Sequence, residues 1–273
     1  MDKVLNLYKQ AGETPLECIL RFKKNNPEYD GISMTYAGRL DPLAEGVLLV
    51  LTGKEVHRKE EFLNLKKEYE VDVLFGVGTD TFDVMGVVDK FNNSLGCHPR
   101  VLPGIQVQNS GLGFPLSTAR MTEGRIDDNT DVEEVLKNFI GKNIFEYPAY
   151  SSKTVSGKPL FSLARSGELE DVEMPKREVE IFSLEIMSFR EINSKDLLKD
   201  IENKINMVKG DFRQEIIISR WKEVLEKSDN IFQIVKINAE VSSGTYMRTL
   251  AHEWGKALGV PALAYHIVRT KVG

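Results

Sequence analysis

The 273-residue sequence predicts an α+β fold in which a central mixed or mostly antiparallel sheet is flanked by helices. Predicted strands outnumber predicted helices, and helices do not separate the strands at regular intervals, as they do in parallel βαβ folds. Hydrophobic residues make up 41% and charged residues 28% of the chain, which are the proportions of a globular protein. We therefore expect a single domain over residues 1–273 that carries insertions.

The first predicted elements are a strand and a helix. Residues 4–8 alternate between apolar and polar side chains, which is typical of a short strand. Thr14 precedes Pro15 and stands three residues before a glutamate, a pattern that starts helices because the threonine side chain caps the first turn. The apolar stripe of this helix consists of Leu16, Ile19 and Leu20.

Two further strands follow in the N-terminal half. Residues 47–52, "VLLVLT", are a continuous apolar run, which predicts a strand that is buried on both faces. From Tyr69 to Val77 apolar and polar residues alternate, which predicts a strand with one apolar face. Tyr69 is therefore expected to point to the apolar side at the start of that strand.

The second half contains two predicted insertions and a C-terminal helix. Residues 92–128 are rich in Gly, Pro, Ser and Asn, which indicates a loop insertion. Residues 192–230 carry two apolar stripes of helical spacing around "KGDF", which predict an inserted helical hairpin. After a strand over 232–241, "MRTLAHEWGKALG" has the spacing of an amphipathic helix that ends at Gly259.

Composition excludes several classes of protein. No apolar run approaches the roughly 18 residues of a membrane span, and the N-terminus lacks the layout of a signal peptide, so we expect a cytoplasmic protein without a membrane partner. The two cysteines and four histidines lack the spacing of a disulfide framework or metal site, so no metal and no cofactor is expected. Because the net charge is −5, an RNA partner must meet a local positive patch.

One carboxylate stands in an unusual setting. Asp41 lies in "GRLDP", between Gly38 and the apolar run, and two interpretations are equally well supported. An aspartate followed by proline commonly caps the start of a helix. Alternatively, a partly desolvated carboxylate that is held by a cation, such as Arg39 or Arg248, is suited to catalysis.

Arg248 and Tyr69 each have a structural and a functional interpretation. Arg248 stands at the edge of an apolar helix face, where arginines usually extend to solvent. The preceding Ser-Ser-Gly-Thr segment, however, offers backbone N–H groups to an anion, and a bidentate pair with Asp41 would hold that carboxylate ionised. Tyr69 is either a core residue or a flat surface on which a base stacks.

Four separated blocks, in order, resemble the TruB family of tRNA pseudouridine synthases, the uridine-55 class. These blocks are "VLNLYKQAGETP", "YAGRLDPLAEGVLLVLTG", "KKEYEVDVLFGVGTDTFDVMG" and "VSSGTYMRTLAHEWGKALGVPALAYHIVRTKVG". A fifth, "YPAYSSKTVSGKPLFSLARSGE", resembles the RNA-clamping loop of the family. The resemblance covers roughly half of the chain and implies the pseudouridine synthase fold.

The resemblance also implies a mechanism and its residues. Asp41 would attack either the uracil ring or ribose C1′, so that the base detaches, turns and rejoins through C5 without a cofactor. The uridine would be flipped out of the RNA, Tyr69 would stack on it, and Arg248 would pair with Asp41. The residues implied or expected to bind the substrate, the T arm of tRNA, are Tyr36, Arg39, Tyr246, Ile267, Lys9, Arg58, Lys153, Lys158 and Arg165.

The chain departs from the family pattern at several positions. Tyr36 stands where the family usually has histidine, and His57 occupies a basic position, so Arg58 is expected to substitute. Many relatives continue into an RNA-binding PUA domain, and we expect none here. Because the net charge is also negative, we expect weak, salt-sensitive RNA binding, and separately we expect a monomer.

Other functions are compatible with parts of the pattern. "GRLD" followed by "GVLLVLTG" also resembles the RsuA-like rRNA pseudouridine synthases, but "SSGTYMRT" favours the TruB branch. An RNA-binding or tRNA-folding factor with lost or secondary catalysis does not need a buried carboxylate beside RNA. The catalytic subunit of a guide-RNA complex and an aspartate-dependent hydrolase are weaker hypotheses.

Overall fold

The computed structural model of the chain describes residues 2–91, 129–169 and 172–273. An eight-stranded sheet forms the centre, and helices cover both of its faces. The predicted α+β class and the mixed, mostly antiparallel sheet are therefore confirmed.

Strands and helices follow one another irregularly along the chain. The strands are β1 (Lys3–Lys9), β2 (Met34–Ala37), β3 (Glu45–Thr52), β4 (Lys67–Phe75), β5 (Val77–Thr79), β6 (Val88–Phe91), β7 (Gly141–Glu146), β8 (Thr154–Val155), β9 (Lys158–Pro159), β10 (Lys176–Asn193), β11 (Ile231–Val241) and β12 (Ala262–Val272). The α-helices are α1 (Pro15–Asn25), α2 (Lys59–Leu63), α3 (Asn129–Lys137), α4 (Leu160–Ser166), α5 (Ser194–Met207), α6 (Gln214–Leu225) and α7 (Met247–Ala257).

The strand order of the central sheet is β1-β3-β12-β4-β11-β10-β7, and β2 also pairs with β3. All pairs in this sheet are antiparallel except β3 with β12, which makes the sheet mixed. Strand periodicity did not predict β12, because a register shift between Ala264 and His266 breaks its alternation. This strand joins the two halves of the sheet.

Two apolar layers lie on opposite faces of the sheet. The first contains Tyr69 and Phe75 of β4 together with α3 and α7, and Trp254 meets the Phe75 ring edge to face at 5.0 Å. The second contains Leu74 of β4 and the completely buried Trp221 of α6. The alternation predicted from Tyr69 onwards is thus confirmed, because consecutive residues of β4 serve different layers.

The α1 region confirms one prediction and corrects another. The Thr14 side chain accepts the Glu17 N–H, and the Glu17 carboxylate accepts the Thr14 N–H, so the capping box is present. The predicted apolar stripe, however, is only partly the buried face. Leu16 and Leu20 are exposed, while Ile19 is buried as predicted and packs together with Cys18 on the first strands of the sheet.

The interpretation of Asp41 as a helix cap is wrong. No helix follows Pro42; instead the Ala44 N–H donates to the Asp41 carbonyl at 3.1 Å and closes a turn. β3 begins at Glu45, so the chain enters a buried strand directly after this turn. Asp41 is consequently held at the end of a central strand.

Only one of the two predicted insertions lies within the described residues. Residues 92–128 lie outside the described residues. Within 192–230, helices α5 and α6 form a hairpin between β10 and β11, as expected, and its origin as an insertion stays a prediction. Among the described residues, no helix is long and apolar enough to cross a membrane.

A glycine at the start of β3 provides a test of the β3–β12 contact. Gly46 has φ +105°, and a Cβ atom there would overlap the Arg269 carbonyl oxygen and lie 2.8 Å from its nitrogen. We expect Gly46→Ala to lower the free energy of unfolding by more than about 3 kcal/mol, because strain and overlap add.

Gly31→Ala is the matched control, since Gly31 has φ +72° and nothing lies within 4 Å of its added methyl group. We expect it to cost only about 1 kcal/mol, from backbone strain alone. Urea unfolding of both variants measures the difference. Equal losses would contradict a close packing of β12 on β3.

Candidate active site

Two buried cations hold the turn that carries Asp41. The first is Lys9, whose exposed fraction is 0%. Its ammonium group donates to the carbonyls of Gln10 at 3.1 Å, Pro42 at 3.0 Å and Ala44 at 2.6 Å. Burial lowers the pKa of Lys9 to about 8, although the carboxylates of Glu13 and Asp41 oppose this effect.

The sequence predicted that Lys9 binds the substrate, but the structure buries its side chain completely and does not present it at the surface. Its three hydrogen bonds use all donors of an ammonium group, and no surface remains for an RNA phosphate. Its charge instead fastens the backbone on the C-terminal side of Asp41.

The second buried cation is Arg269 of β12. Its Nε donates to the Val47 carbonyl at 2.7 Å and its Nη2 to the Gly38 carbonyl at 3.0 Å. Gly38 has φ +87°, a conformation that glycine adopts without strain. Lys9 and Arg269 thus hold the turn at both ends through its backbone, independently of the Asp41 side chain.

The side chain of Asp41 pairs with Arg248, the second residue of α7. Arg248 Nε donates to Asp41 Oδ2 at 2.8 Å, and Nη2 approaches Oδ1 at 3.4 Å. Only 3% of the Arg248 side chain is exposed, whereas 34% of Asp41 is. The carboxylate can therefore meet a substrate while its partner stays out of water.

Backbone carbonyls complete the environment of Arg248. Nη1 donates to the Thr81 carbonyl at 2.8 Å, and Nη2 lies 3.4 Å from the Tyr150 carbonyl. These groups belong to different segments of the chain, which meet at the guanidinium. Arg248 is consequently fixed from several sides and does not extend to solvent.

A second carboxylate, Asp83, lies beside this pair. Its Oδ2 is 3.5 Å from Arg248 Nε, and its Oδ1 accepts the Thr81 hydroxyl at 2.6 Å and the Met85 N–H at 2.9 Å. Burial raises the pKa of Asp83 to about 6, and the Arg248 charge opposes the rise. From the sequence, Asp83 was predicted only as a turn residue, because the neighbouring residues give no sign that the distant Arg248 lies beside it.

A cavity of about 180 Å³ opens beside Asp41. It exceeds the space of a single water, which takes up about 30 Å³ in the liquid. Apolar side chains dominate its wall, with the carboxylates of Asp41 and Asp83 at one side. Its lining includes Leu43, Ala44, Val84, Met207, Ala264 and Ile267.

The aromatic candidates are Tyr69, which is buried, and Tyr246, which is half-buried. Tyr69 belongs to the same large apolar cluster as Ala44 and Ile267, and it pairs with Arg269 where β4 and β12 run side by side. The Tyr246 ring lies 5.9 Å from the Arg248 guanidinium, directly before α7. Burial and then the Asp41 carboxylate raise the pKa of Tyr246.

Three further candidates, Tyr36, Arg39 and Arg58, are partly or fully exposed. Tyr36 is half-buried in β2, and the Lys59 ammonium lies 5.5 Å over its ring. Arg39 is exposed. Arg58 is also exposed and forms ion pairs with two glutamates of its own helical segment, so part of its charge is already neutralised.

The three basic candidates of the 147–169 segment do not contact Asp41. Lys153 lies 5.4 Å over the Tyr147 ring, and Lys158 forms an exposed ion pair with Glu168. Arg165 donates to the Asp211 carbonyl at 2.7 Å. Tyr150, from the same segment, is the residue that reaches Arg248.

The family described as "TruB family pseudouridylate synthase (N terminal domain)" matches residues 29–96 and 117–212, more than half of the chain. The chain belongs to the TruB family. The resemblance inferred from the sequence is confirmed.

Curated members of the TruB family match this chain from end to end. The tRNA pseudouridine synthase B of Oceanobacillus iheyensis is 29% identical over all of this chain and 66% of its own length. That of Thermosipho melanesiensis is 30% identical over 98% of this chain and 63% of its own length. The chain thus spans about two thirds of these relatives.

Solved structures show that this TruB family member has the pseudouridine synthase fold. A chain in a Cbf5–Nop10–Gar1 complex superposes with a TM-score of 0.51 at 19% identity, over 99% of this chain and 48% of the other. One in an H/ACA RNP bound to a substrate RNA gives 0.50 at 18% identity, over 99% and 47%. In the part of the chain that the structure describes, no cluster of His, Cys, Asp and Glu could hold a metal ion.

The raised pKa of Asp83 has a consequence for stability. Between pH 3.8 and about 6 the folded state binds more protons at Asp83 than the unfolded state, so this contribution to stability falls as pH rises. We expect the stability of the wild type relative to Asp83→Asn to fall by roughly 2 kcal/mol from pH 4 to pH 7.

Urea unfolding of both proteins at each pH measures this difference. Asp229→Asn, at an exposed aspartate, controls for the loss of one carboxylate. A difference between wild type and Asp83→Asn that does not change with pH would contradict a raised pKa.

Proposed function

We propose that this protein isomerises uridine to pseudouridine in the T loop of tRNA, at position 55, with Asp41 as the nucleophile. The ion pair between Asp41 and the buried Arg248, at the edge of a cavity, carries the proposal. Membership of the TruB family and the names of its curated relatives, tRNA pseudouridine synthase B, support it.

The chemistry requires a carboxylate and no redox partner. Asp41 forms a bond to the substrate, either at ribose C1′ or in the uracil ring, and the N1–C1′ bond breaks. The base turns, a C5–C1′ bond forms, Asp41 is released, and the C5 proton passes to N1 through solvent or a nearby group. All atoms of the uridine are retained, so no cofactor is needed.

Arg248 would bind the Asp41 carboxylate and direct it at the substrate. A guanidinium binds a carboxylate in a fixed geometry and does not lose its proton in proteins. Because Arg248 is buried and Asp41 is partly exposed, the positive charge stabilises the nucleophile without covering it. Such preorganised charge is a main source of catalytic stabilisation.

Aromatic and aliphatic side chains would receive the flipped base. A base within the RNA stack cannot expose C1′ and C6 to a carboxylate, so flipping is required. Tyr69 would stack on the uracil, Ile267 would pack against it, and Tyr246 would line the pocket. Ile267 lines the cavity beside Asp41, and Tyr69 pairs with Arg269, two residues further along the same strand, which supports these roles.

Exposed basic side chains would bind the T arm. Arg39 near Asp41, and Lys153 and Lys158 on the 147–169 segment, are exposed and suited to phosphates. Lys59 over the Tyr36 ring brings a cation to the position where Tyr36 itself has none. We propose a cytoplasmic monomer whose RNA binding weakens steeply with salt.

The first test replaces the nucleophile. Asp41→Asn keeps the size of the side chain but removes its negative charge, so we expect pseudouridine formation to fall by roughly 1,000-fold or more. Purified protein is incubated with an unmodified tRNA transcript, and pseudouridine is mapped along it. A transcript with uridine 55 changed to cytidine is the substrate control.

Wild-type product at the T-loop uridine, lost in Asp41→Asn, is the expected result. If wild-type protein binds tRNA but forms no pseudouridine, the RNA-folding-factor hypothesis replaces this one. Product at a different uridine would contradict the T-loop assignment only.

The second test separates catalysis from binding. Arg248→Lys retains a charge but loses the fork that binds Asp41 and the Thr81 carbonyl together. We expect the single-turnover rate to fall about 100- to 1,000-fold, because a preorganised charge contact is lost. Since Arg248 is buried, filter binding should give a tRNA Kd close to that of the wild type; comparable losses in rate and affinity would refute its assigned role.

A further inference from the structure

The tip of the α5–α6 hairpin, residues 208–213, reaches the surroundings of the active site. Met207, directly before the tip, lines the cavity beside Asp41. The Gln214 side chain donates to the carbonyls of Val208 and Gly210, at 3.1 and 2.7 Å, and thereby closes the tip. The hairpin is thus built to hold its tip in one conformation.

Arg213, the last residue of the tip, joins two segments of the chain. Its Nη1 lies 2.8 Å from Asp80 Oδ2, in the turn after β5. Its guanidinium also lies 4.3 Å from the centre of the Tyr150 ring, in the 147–169 segment. About a quarter of the Arg213 side chain is exposed, so both contacts are partly shielded from solvent.

These two segments are the ones that hold Arg248. Thr81, next to Asp80, provides the carbonyl that accepts from Arg248 Nη1, and the Tyr150 carbonyl lies near Nη2. Asp80 Oδ1 accepts the Val87 N–H at 2.8 Å, which ties the ends of its turn together. A shift of either segment would move the guanidinium that holds Asp41.

The backbone conformation of Arg213 is strained, which indicates that its side chain is held in a defined position. Arg213 has φ +64°, in the left-handed region that side chains other than glycine rarely adopt. Such a conformation persists only where surrounding contacts determine it, and it recurs at functional sites. Glycine would adopt this backbone with less strain, so the contacts of the Arg213 side chain with Asp80 and Tyr150 must offset part of the strain.

We propose that Arg213 is a positioning residue for the reaction, which acts through Asp80 and Tyr150 on Arg248 and thereby on Asp41. This inference rests on the proposed function. The helical hairpin is on this account part of the scaffold of the active site. Its role is to hold Arg248 in place before RNA arrives.

The test uses a substitution that relieves backbone strain while removing the contact. Arg213→Gly is expected to lower the single-turnover rate of pseudouridine formation about 10- to 100-fold, because small displacements at a reacting group have effects of this size. The tRNA Kd is expected to stay within about twofold, and the melting temperature not to fall. Arg213→Lys, which retains the charge for Asp80 and loses the planar stack, should recover part of the rate.

Lys209→Gln is the matched control, because it removes one exposed positive charge from the same tip. It is expected to leave the rate unchanged. Asp80→Asn retains Oδ1 but loses the negative charge. The double variant Asp80→Asn/Arg213→Gly should be no slower than the slower of the two single variants, because both residues act in one chain of contacts. Hydrogen exchange should rise in residues 147–169 of Arg213→Gly and stay unchanged in Lys209→Gln.

Three results would overturn the proposal. An Arg213→Gly enzyme as fast as an active wild type would remove the positioning role and leave the proposed function standing. Equal losses of tRNA affinity in Arg213→Gly and Lys209→Gln at unchanged rate would make the tip an RNA contact. A wild type that forms no pseudouridine would overturn the proposed function together with this inference.

Discussion

The charge of Arg248 is the constraint on which the arrangement of the site depends. A guanidinium removed from water must find a counter-charge and acceptors for its five N–H groups, or the fold loses several kcal/mol. Asp41 supplies the counter-charge, and the carbonyls of Thr81 and Tyr150 supply acceptors. Segments that are far apart in sequence therefore converge on one side chain, and the Asp41 carboxylate is oriented because it satisfies a buried cation.

Buried cations that must satisfy their hydrogen-bond donors also hold the turn that carries Asp41. Lys9 and Arg269 are both buried, and both direct their hydrogen bonds at backbone carbonyls of the turn and not at carboxylates. The positive charges hold the turn, yet they leave the Asp41 carboxylate unpaired with either of them. A rigid turn with one partly exposed carboxylate suits nucleophilic attack, because reorganisation would otherwise add to the barrier.

Local patterns predicted the elements that depend on local physics. The capping box of α1, the alternation of β4 and the stripes of α5 and α6 were predictable, because capping, pleating and helical periodicity act over a few residues. The same reasoning missed β12, whose alternation is broken by a register shift. It also assigned Lys9 to the substrate, since a lysine in a motif gives no local sign of being buried.

The sequence by itself determined the α+β class, the family, and a short set of candidates that included Asp41, Tyr69 and Arg248. Only the tertiary structure decided what each of them touches. Asp83 and Arg213 stand in unremarkable turn sequences, and their importance arises from a guanidinium and a carboxylate that the fold brings alongside. Ion pairs between residues that are more than about a hundred positions apart leave no local periodicity, so they become visible only once the sheet and its helices have assembled.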